Sequence, residues 1–204
     1  AFLEEIDLPA CLTRRAGELA QAGELLAAHA KLSFSEIAAT AFAGLLVPLL
    51  LSALVRIRCM DYGAALIFMP LVLAFTSDSG AYFAGRAFGK HKLAPVITPH
   101  KTVEGVVGGV LGATLGMLIF CLVMQLGFKM QVNYLYAVLY GVVGSLGAVF
   151  GDLCFSVIKR QTGIKDYGNL IPGHGGVLDR FDSMMIVGPL SELLLLLLPV
   201  AVGK

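Results

Sequence analysis

The sequence predicts an all-α, polytopic integral membrane protein, with about five transmembrane helices and its polar loops gathered on the cytoplasmic side. Hydrophobic residues make up 57% of the chain and charged ones only 14%, against the roughly 25% charged share of a soluble domain. Several apolar runs also approach the roughly 20 residues that a helix needs to cross a bilayer. The formal net charge of +1 and the scatter of basic residues through short loops give no continuous basic face, so nucleic acid is not a partner. Cys11, Cys59, Cys121 and Cys154 fall into no C-x-x-C pair, which argues against a zinc site or a disulfide framework.

Two segments follow from this pattern. Residues 1–33 are mixed and polar, with a weak helical periodicity over 13–31 that suits an interfacial helix or a solvated linker helix. The chain opens on Ala1 without a signal-peptide pattern, as a processed or partial chain does. Residues 34–204 form the membrane catalytic domain.

The first span covers about residues 35–55, is interrupted by Pro48 and is closed by Arg56 and Arg58. The second, about 62–77, is short, so it either ends at Asp78 or carries that acid into the protein interior. A polar connection follows over about 85–104. The third span, about 105–126, carries Gly105, Gly108, Gly109, Gly112 and Gly116, and the fourth, about 134–158, carries Gly141, Gly144, Gly147 and Gly151. Glycines three and four apart let helix backbones approach closely in lipid, within one chain or across a homodimer. The last span covers about 183–202. With five spans, eleven of the fifteen Lys and Arg residues fall on one side and four (Arg56, Arg58, Lys129, Lys204) on the other. The positive-inside rule then turns both polar loops to the cytoplasm.

Residues 156–182 break the apolar pattern. Ionisable groups beside membrane spans are costly and mark function. Asp152 lies inside the fourth span, Asp166 follows Lys165, and Asp179 and Asp182 share one face if the chain is helical from about 177. Carboxylates converging there suit a hard cation, and Mg²⁺ held by one or two of them and completed by substrate phosphates fits. Structural ion pairs, Asp166 with Lys165 or Arg160 and Asp182 with Arg180, are the competing reading. Lys159, Arg160 and Lys165 beside the Gly173-His174-Gly175-Gly176 turn form a phosphate cradle, although the turn by itself is no more than a flexible one. Cradle, cation and acids together are what phosphoryl or nucleotidyl transfer needs. Arg86 and Lys101 in the first polar loop offer a place for a second anion such as a lipid phosphate.

These residues resemble the signature of the phosphatidate cytidylyltransferase (CDP-diacylglycerol synthase) family. The likeness runs through Ser156, Lys159-Arg160, Lys165-Asp166, Pro172-Gly173-His174-Gly175-Gly176, Asp179-Arg180 and Asp182. Supporting matches are Asp78-Ser79-Gly80-Ala81-Tyr82 with Gly85-Arg86, then Lys101-Thr102 with Glu104-Gly105, and Gly151-Asp152-Leu153. The resemblance implies an Mg²⁺-dependent enzyme of the bacterial cytoplasmic membrane that joins CTP and phosphatidate. It implies Asp152, Asp179 and Asp182 as metal ligands with Asp166 beside them, and Lys159, Arg160, Lys165, His174 and Arg180 as catalytic groups. Asp78, Ser79, Tyr82, Arg86, Lys101, Thr102, Glu104, Ser156, Gly173, Gly175 and Gly176 would bind substrate. A second, monovalent cation is left open. The chain departs from the family at Thr98-Pro99-His100-Lys101, where Ser-Pro and two lysines are usual, and members usually carry further membrane helices ahead of the matched region. Competing readings are a CTP-dependent lipid kinase or another lipid cytidylyltransferase, a transporter whose path is marked by Asp78 and Asp152, and an inactive fragment.

Overall fold

The computed structural model describes residues 34–95, 97–164, 167, 176 and 178–202. The chain up to Leu46 is a unit of its own, in which helix α1 (Phe34–Ala41) runs into a π-helical turn, Phe42–Leu46. The second unit begins at Val47 with α2 (Val47–Cys59). The single span expected over 35–55 is thus divided just ahead of Pro48. Proline donates no backbone N–H, and the π-helical turn falls just ahead of Pro48.

After α2 the chain reverses at Tyr62, in the left-handed region with φ 57°. The next residue must be glycine, because a Cβ on Gly63 would stand 2.4 Å from the carbonyl oxygens of both Ile57 and Arg58. A single turn, α3 (Gly63–Leu66), leads into α4 (Phe68–Phe88). The second span therefore does not stop near residue 77. It continues ten residues past Asp78 and carries Asp78, Ser79, Tyr82 and Arg86 on a helix. The polar connection is correspondingly shorter than expected, and it is no plain loop: β1 (Lys92–Ala94) and β2 (Thr98–Thr102) pair as an antiparallel hairpin.

Helix α5 (Val103–Phe128) starts where the Thr102 hydroxyl accepts the Gly105 N–H at 3.1 Å, satisfying one of the orphan donors of the first turn. It stops at Lys129 in the left-handed region. Helix α6 (Tyr134–Gln161) is capped by Asn133, whose Oδ1 accepts from Leu135 and Tyr136. A short helix α7 (Leu178–Phe181) precedes α8 (Met184–Leu197). The last span was expected to reach residue 202, but α8 ends five residues sooner. Pro199 disfavours helix at the residue before it, and Leu198 leaves the helical region at φ −139°, ψ 72°. Beyond it β4 (Ala201–Val202) pairs with β3 (Gln131–Val132), tying the chain's end to the α5–α6 turn.

The stretch Gly63–Phe88 and helices α5 and α6, 26, 26 and 28 residues long, are long and apolar enough to cross a membrane. At 1.5 Å per residue each is roughly 40 Å, beyond the roughly 30 Å hydrocarbon core. Helix α8 is shorter and also apolar. The outer face of α5 exposes Leu111, Leu115, Ile119, Val123 and Leu126, while Ile57, Met69, Leu73, Met117, Tyr140 and Val187 pack inside. Glycine sets the tightest contact: a Cβ on Gly108 would sit 2.1 Å from the Ala84 Cβ and 2.8 Å from the Gly80 carbonyl oxygen. Helices α4 and α5 touch backbone to backbone there, and the spacing expected to permit close approach does so within one chain.

Candidate active site

The hairpin end of the α4, α5 and α6 bundle opens into a cavity of about 520 Å³. Its walls are Asp78, Tyr82 and Arg86 from α4, His100, Lys101 and Thr102 from β2, Gly105 and Val106 from α5, and Val149 and Asp152 from α6. The close α4–α5 contact makes the hairpin narrow, and the hairpin lays Lys101 across to α6. There the Lys101 ammonium forms an ion pair with Asp152, each side chain about a quarter exposed. Ser156, one turn further along α6, donates to the other oxygen of Asp152 at 3.3 Å. On α4, Arg86 donates to the Tyr82 hydroxyl at 2.9 Å.

Beside this cavity is a second, more enclosed cluster. Lys159, near the end of α6, donates to Asp179 Oδ1 at 2.9 Å and lies 4.0 Å from Asp182 Oδ2. The helical turn expected from about residue 177 is present as α7, and one lysine meets both acids. Asp179 Oδ2 accepts two backbone N–H groups, from Tyr167 at 2.8 Å and Gly176 at 2.9 Å. Burial works against the charge on Asp179, yet the bonds from Lys159, Gly176 and Tyr167 outweigh it and hold the carboxyl below its ordinary range. Asp182 moves the other way. Burial and then the nearby charge of Asp152 push its pKa up, against the Ser183 N–H and the two lysines. Asp78 lies within electrostatic reach of both Asp152 and Asp182. Burial, with Asp179 and Asp182 nearby, raises the Tyr167 phenol to about 12, so it stays protonated and can donate.

Of the residues predicted from sequence, Asp78, Tyr82, Arg86, Lys101, Thr102 and Asp152 line the cavity, while Lys159, Asp179 and Asp182 form the adjoining cluster. Others are placed elsewhere. Glu104 accepts from the His91 backbone N–H and meets its ring Nδ1 at 2.6 Å, bracing the base of the hairpin. Arg160 donates to the Ile97 carbonyl at 3.2 Å, and Ser79 is exposed and not among the cavity's lining residues. Lys165, Asp166, Gly173, His174, Gly175 and the Arg180 side chain lie outside the described residues, as does the helix expected over 13–31. His100 and Tyr167 carried no predicted role. His100 stands where the family usually has the first of two lysines, and Tyr167 sits at a variable place in the signature.

Among the described residues no three His, Cys, Asp or Glu side chains are grouped to hold a metal ion. That arrangement still suits Mg²⁺, which prefers one or two carboxylates plus substrate phosphates to an all-protein cage. Asp152, Asp179 and Asp182 are oxygen donors of the required hardness, and Asp182 feels the charge of Asp152.

The sequence model described as "Cytidylyltransferase family" matches residues 13–198. A Bacillus subtilis protein named phosphatidate cytidylyltransferase is 42% identical over 166 residues, covering 81% of this chain and 60% of the relative. Proteins of the same name from Staphylococcus epidermidis and Staphylococcus aureus are each 44% identical over 134 residues, 66% of this chain and 50% of theirs. The chain thus spans between half and three-fifths of the length of these relatives.

Proposed function

The chain belongs to the cytidylyltransferase family, and from that premise we propose that it transfers the cytidylyl group of CTP to phosphatidate, giving CDP-diacylglycerol and pyrophosphate in phospholipid biosynthesis. The relatives' names support this, and neither the lipid kinase nor the transporter reading is favoured. The observation that carries the proposal is the pairing of Lys101 with Asp152 and of Lys159 with Asp179 and Asp182, basic and acidic groups from the hairpin, α6 and the α7 turn, at one end of an apolar bundle.

The chemistry needs no protein nucleophile. Phosphatidate is a phosphomonoester with a second pKa near about 6, so its oxygen is largely anionic at neutral pH. That oxygen forms a bond to the α-phosphorus of CTP in line as the bond from that phosphorus to the pyrophosphate oxygen breaks, and no proton has to move. Lys159 neutralises charge growing on the departing pyrophosphate, while Arg160, next to it on α6, is turned to the Ile97 carbonyl. Arg86 and Lys101 hold the lipid phosphate in the cavity, where Ala81, Val106 and Val149 supply an apolar side. Asp152, Asp179 and Asp182 would hold Mg²⁺, which supplies Lewis-acid stabilisation of the phosphate oxygens. A second, monovalent cation remains compatible with the number of acids.

In this reading α2 and α8 complete a five-span arrangement with the three long helices. The site faces the cytoplasm of a bacterial inner membrane, because the basic residues of the hairpin and of the end of α6 lie at the site's end. Gly108, Gly112 and Gly141 are filled by α4 and α5 of the same chain, so the glycine faces do not call for a homodimer. Purified full-length protein given CTP, phosphatidate and Mg²⁺ should release pyrophosphate and form CDP-diacylglycerol by mass spectrometry. A folded sample that forms neither refutes the proposal.

A further inference from the structure

Asp179 is held asymmetrically. Its Oδ1 faces the Lys159 ammonium at 2.9 Å, while its Oδ2 is taken by the Tyr167 and Gly176 backbone N–H groups. The orientation of the carboxylate therefore depends on what holds Tyr167 in place. Its hydroxyl donates to the Phe155 carbonyl at 3.1 Å. Its ring meets the Phe155 ring edge-on, centroids 6.2 Å apart and planes at 78°. The face of the same ring lies 5.4 Å from the Lys159 ammonium, within cation–π range. One residue thus touches both members of the ion pair, Asp179 through its backbone and Lys159 through its ring, and is pinned to α6 by its hydroxyl.

From this we infer that Tyr167 is a positioning residue for the transfer reaction. Its anchored ring and backbone N–H fix the Asp179 carboxylate against the Lys159 ammonium, and so set where that ammonium meets the nucleotide phosphates. A lysine on a four-carbon stem has many rotamers to lose. The aromatic face on one side and Asp179 on the other restrict it before substrate arrives, which is the pre-organisation that phosphoryl chemistry rewards. The inference rests on the function proposed above for Lys159 and Asp179.

Two substitutions in the full-length protein separate positioning from packing. Tyr167→Phe keeps the ring and removes the tether to Phe155; Tyr167→Leu removes tether and ring face together. A single hydrogen bond corresponds to a factor of about 2 to 10. Tyr167→Phe should therefore raise the half-saturating Mg²⁺–CTP concentration about three-fold, and Tyr167→Leu about ten-fold or more as the cation–π contact also goes. KM for phosphatidate, bound in the Lys101 cavity, should stay within about two-fold in both. An equal fall in every kinetic parameter, tracking the loss of folded protein, assigns Tyr167 to packing and overturns the inference. Wild-type kinetics in Tyr167→Leu do the same. A readout without turnover is the ¹⁹F spectrum of protein carrying 3-fluorotyrosine in place of tyrosine, with the Tyr167 line assigned by its loss in Tyr167→Phe. That line should move in Lys159→Met and in Asp179→Asn. A line that moves in neither refutes the clasp even where the wild-type protein makes no CDP-diacylglycerol, a result that by itself counts against the proposed function alone.

Discussion

Lys159→Met probes the enclosed cluster at its centre. The Lys159 and Asp179 side chains are only 12% and 5% exposed, so the substitution strips a buried carboxylate of its counter-ion. Removing one partner of such a pair costs about 3–5 kcal/mol. Two backbone N–H groups continue to hold Asp179 Oδ2, which places the cost near the low end, about 3 kcal/mol. For a chain of this size, 1 kcal/mol moves the unfolding midpoint by about 2–4 °C, so the midpoint should fall by about 6–12 °C. Adding Asp179→Asn removes the stranded charge, and the amide oxygen of Asn can still accept both N–H groups. The double variant should regain more than half of the lost stability. Neither protein should turn over, because the ammonium and the carboxylate are both needed for the transfer. The assays are thermal unfolding in detergent and pyrophosphate release on the same samples. A single variant that melts with the wild type would show that the pair is not buried. A double variant no more stable than the single would show that stranded charge is not the cause of the loss.

Gly108→Leu forces a Cβ into a position 2.1 Å from the Ala84 Cβ; overpacking of this kind costs about 1–3 kcal/mol or more, and both the unfolding midpoint and turnover should fall. Lys101→Met frees Asp152 in a setting about a quarter exposed, so stability should drop by about 1 kcal/mol or less while KM for phosphatidate rises more than KM for CTP. Glu104→Gln loses its pairing with a His91 side chain that is 79% exposed, and turnover should change by less than about two-fold; a loss of activity there would give Glu104 a direct part in binding. Chelation of divalent cations should abolish pyrophosphate release and added Mg²⁺ should restore it, whereas activity that survives the chelator would remove the metal from the mechanism.

The acids and bases of the site were legible because each departs from its surroundings. Asp78 and Asp152 stand inside apolar runs, and Lys159, Asp179 and Asp182 belong to a dense signature. Their pairing was not legible. Sequence adjacency offered Arg180, whose side chain lies outside the described residues, as the partner of Asp182; it did not reveal that Lys159 lies 4.0 Å from Asp182 and bonds Asp179 as well, because the end of α6 comes back beside α7. The course of α4 past Asp78 was hidden by Ser77, Asp78, Ser79 and Arg86, polar residues that resemble a loop in a hydropathy profile. There the Ser77 hydroxyl meets that of Ser145 at 2.7 Å, so a buried polar residue is satisfied across α4 and α6. The β1–β2 hairpin was hidden for a different reason. Pro95 and Pro99 with several basic residues read as an irregular connection, and short strands depend on what flanks them more than on their own propensity.

The hairpin also explains why a charged site can form at the end of so apolar a bundle. Gly80 and Gly108 bring α4 and α5 into backbone contact, and a Cβ on Gly85 or Gly105 would stand 3.0 Å from the Thr102 hydroxyl that caps α5. Helices so close leave the connecting strands little lateral freedom, and β2 must deliver Lys101 toward α6. Lys101 then comes from the hairpin and Asp152 from α6, whereas Lys159 comes from α6 and the acids it meets from the chain after it. Each ion pair joins two elements, and α6 belongs to both pairs. A change that tilts α6 should therefore disturb both lysines at once, while one that loosens α4 from α5 should release Lys101 and leave the Lys159 pair intact. Gly108→Leu belongs to the second kind, so whatever protein survives folded should lose affinity for phosphatidate before it loses affinity for CTP.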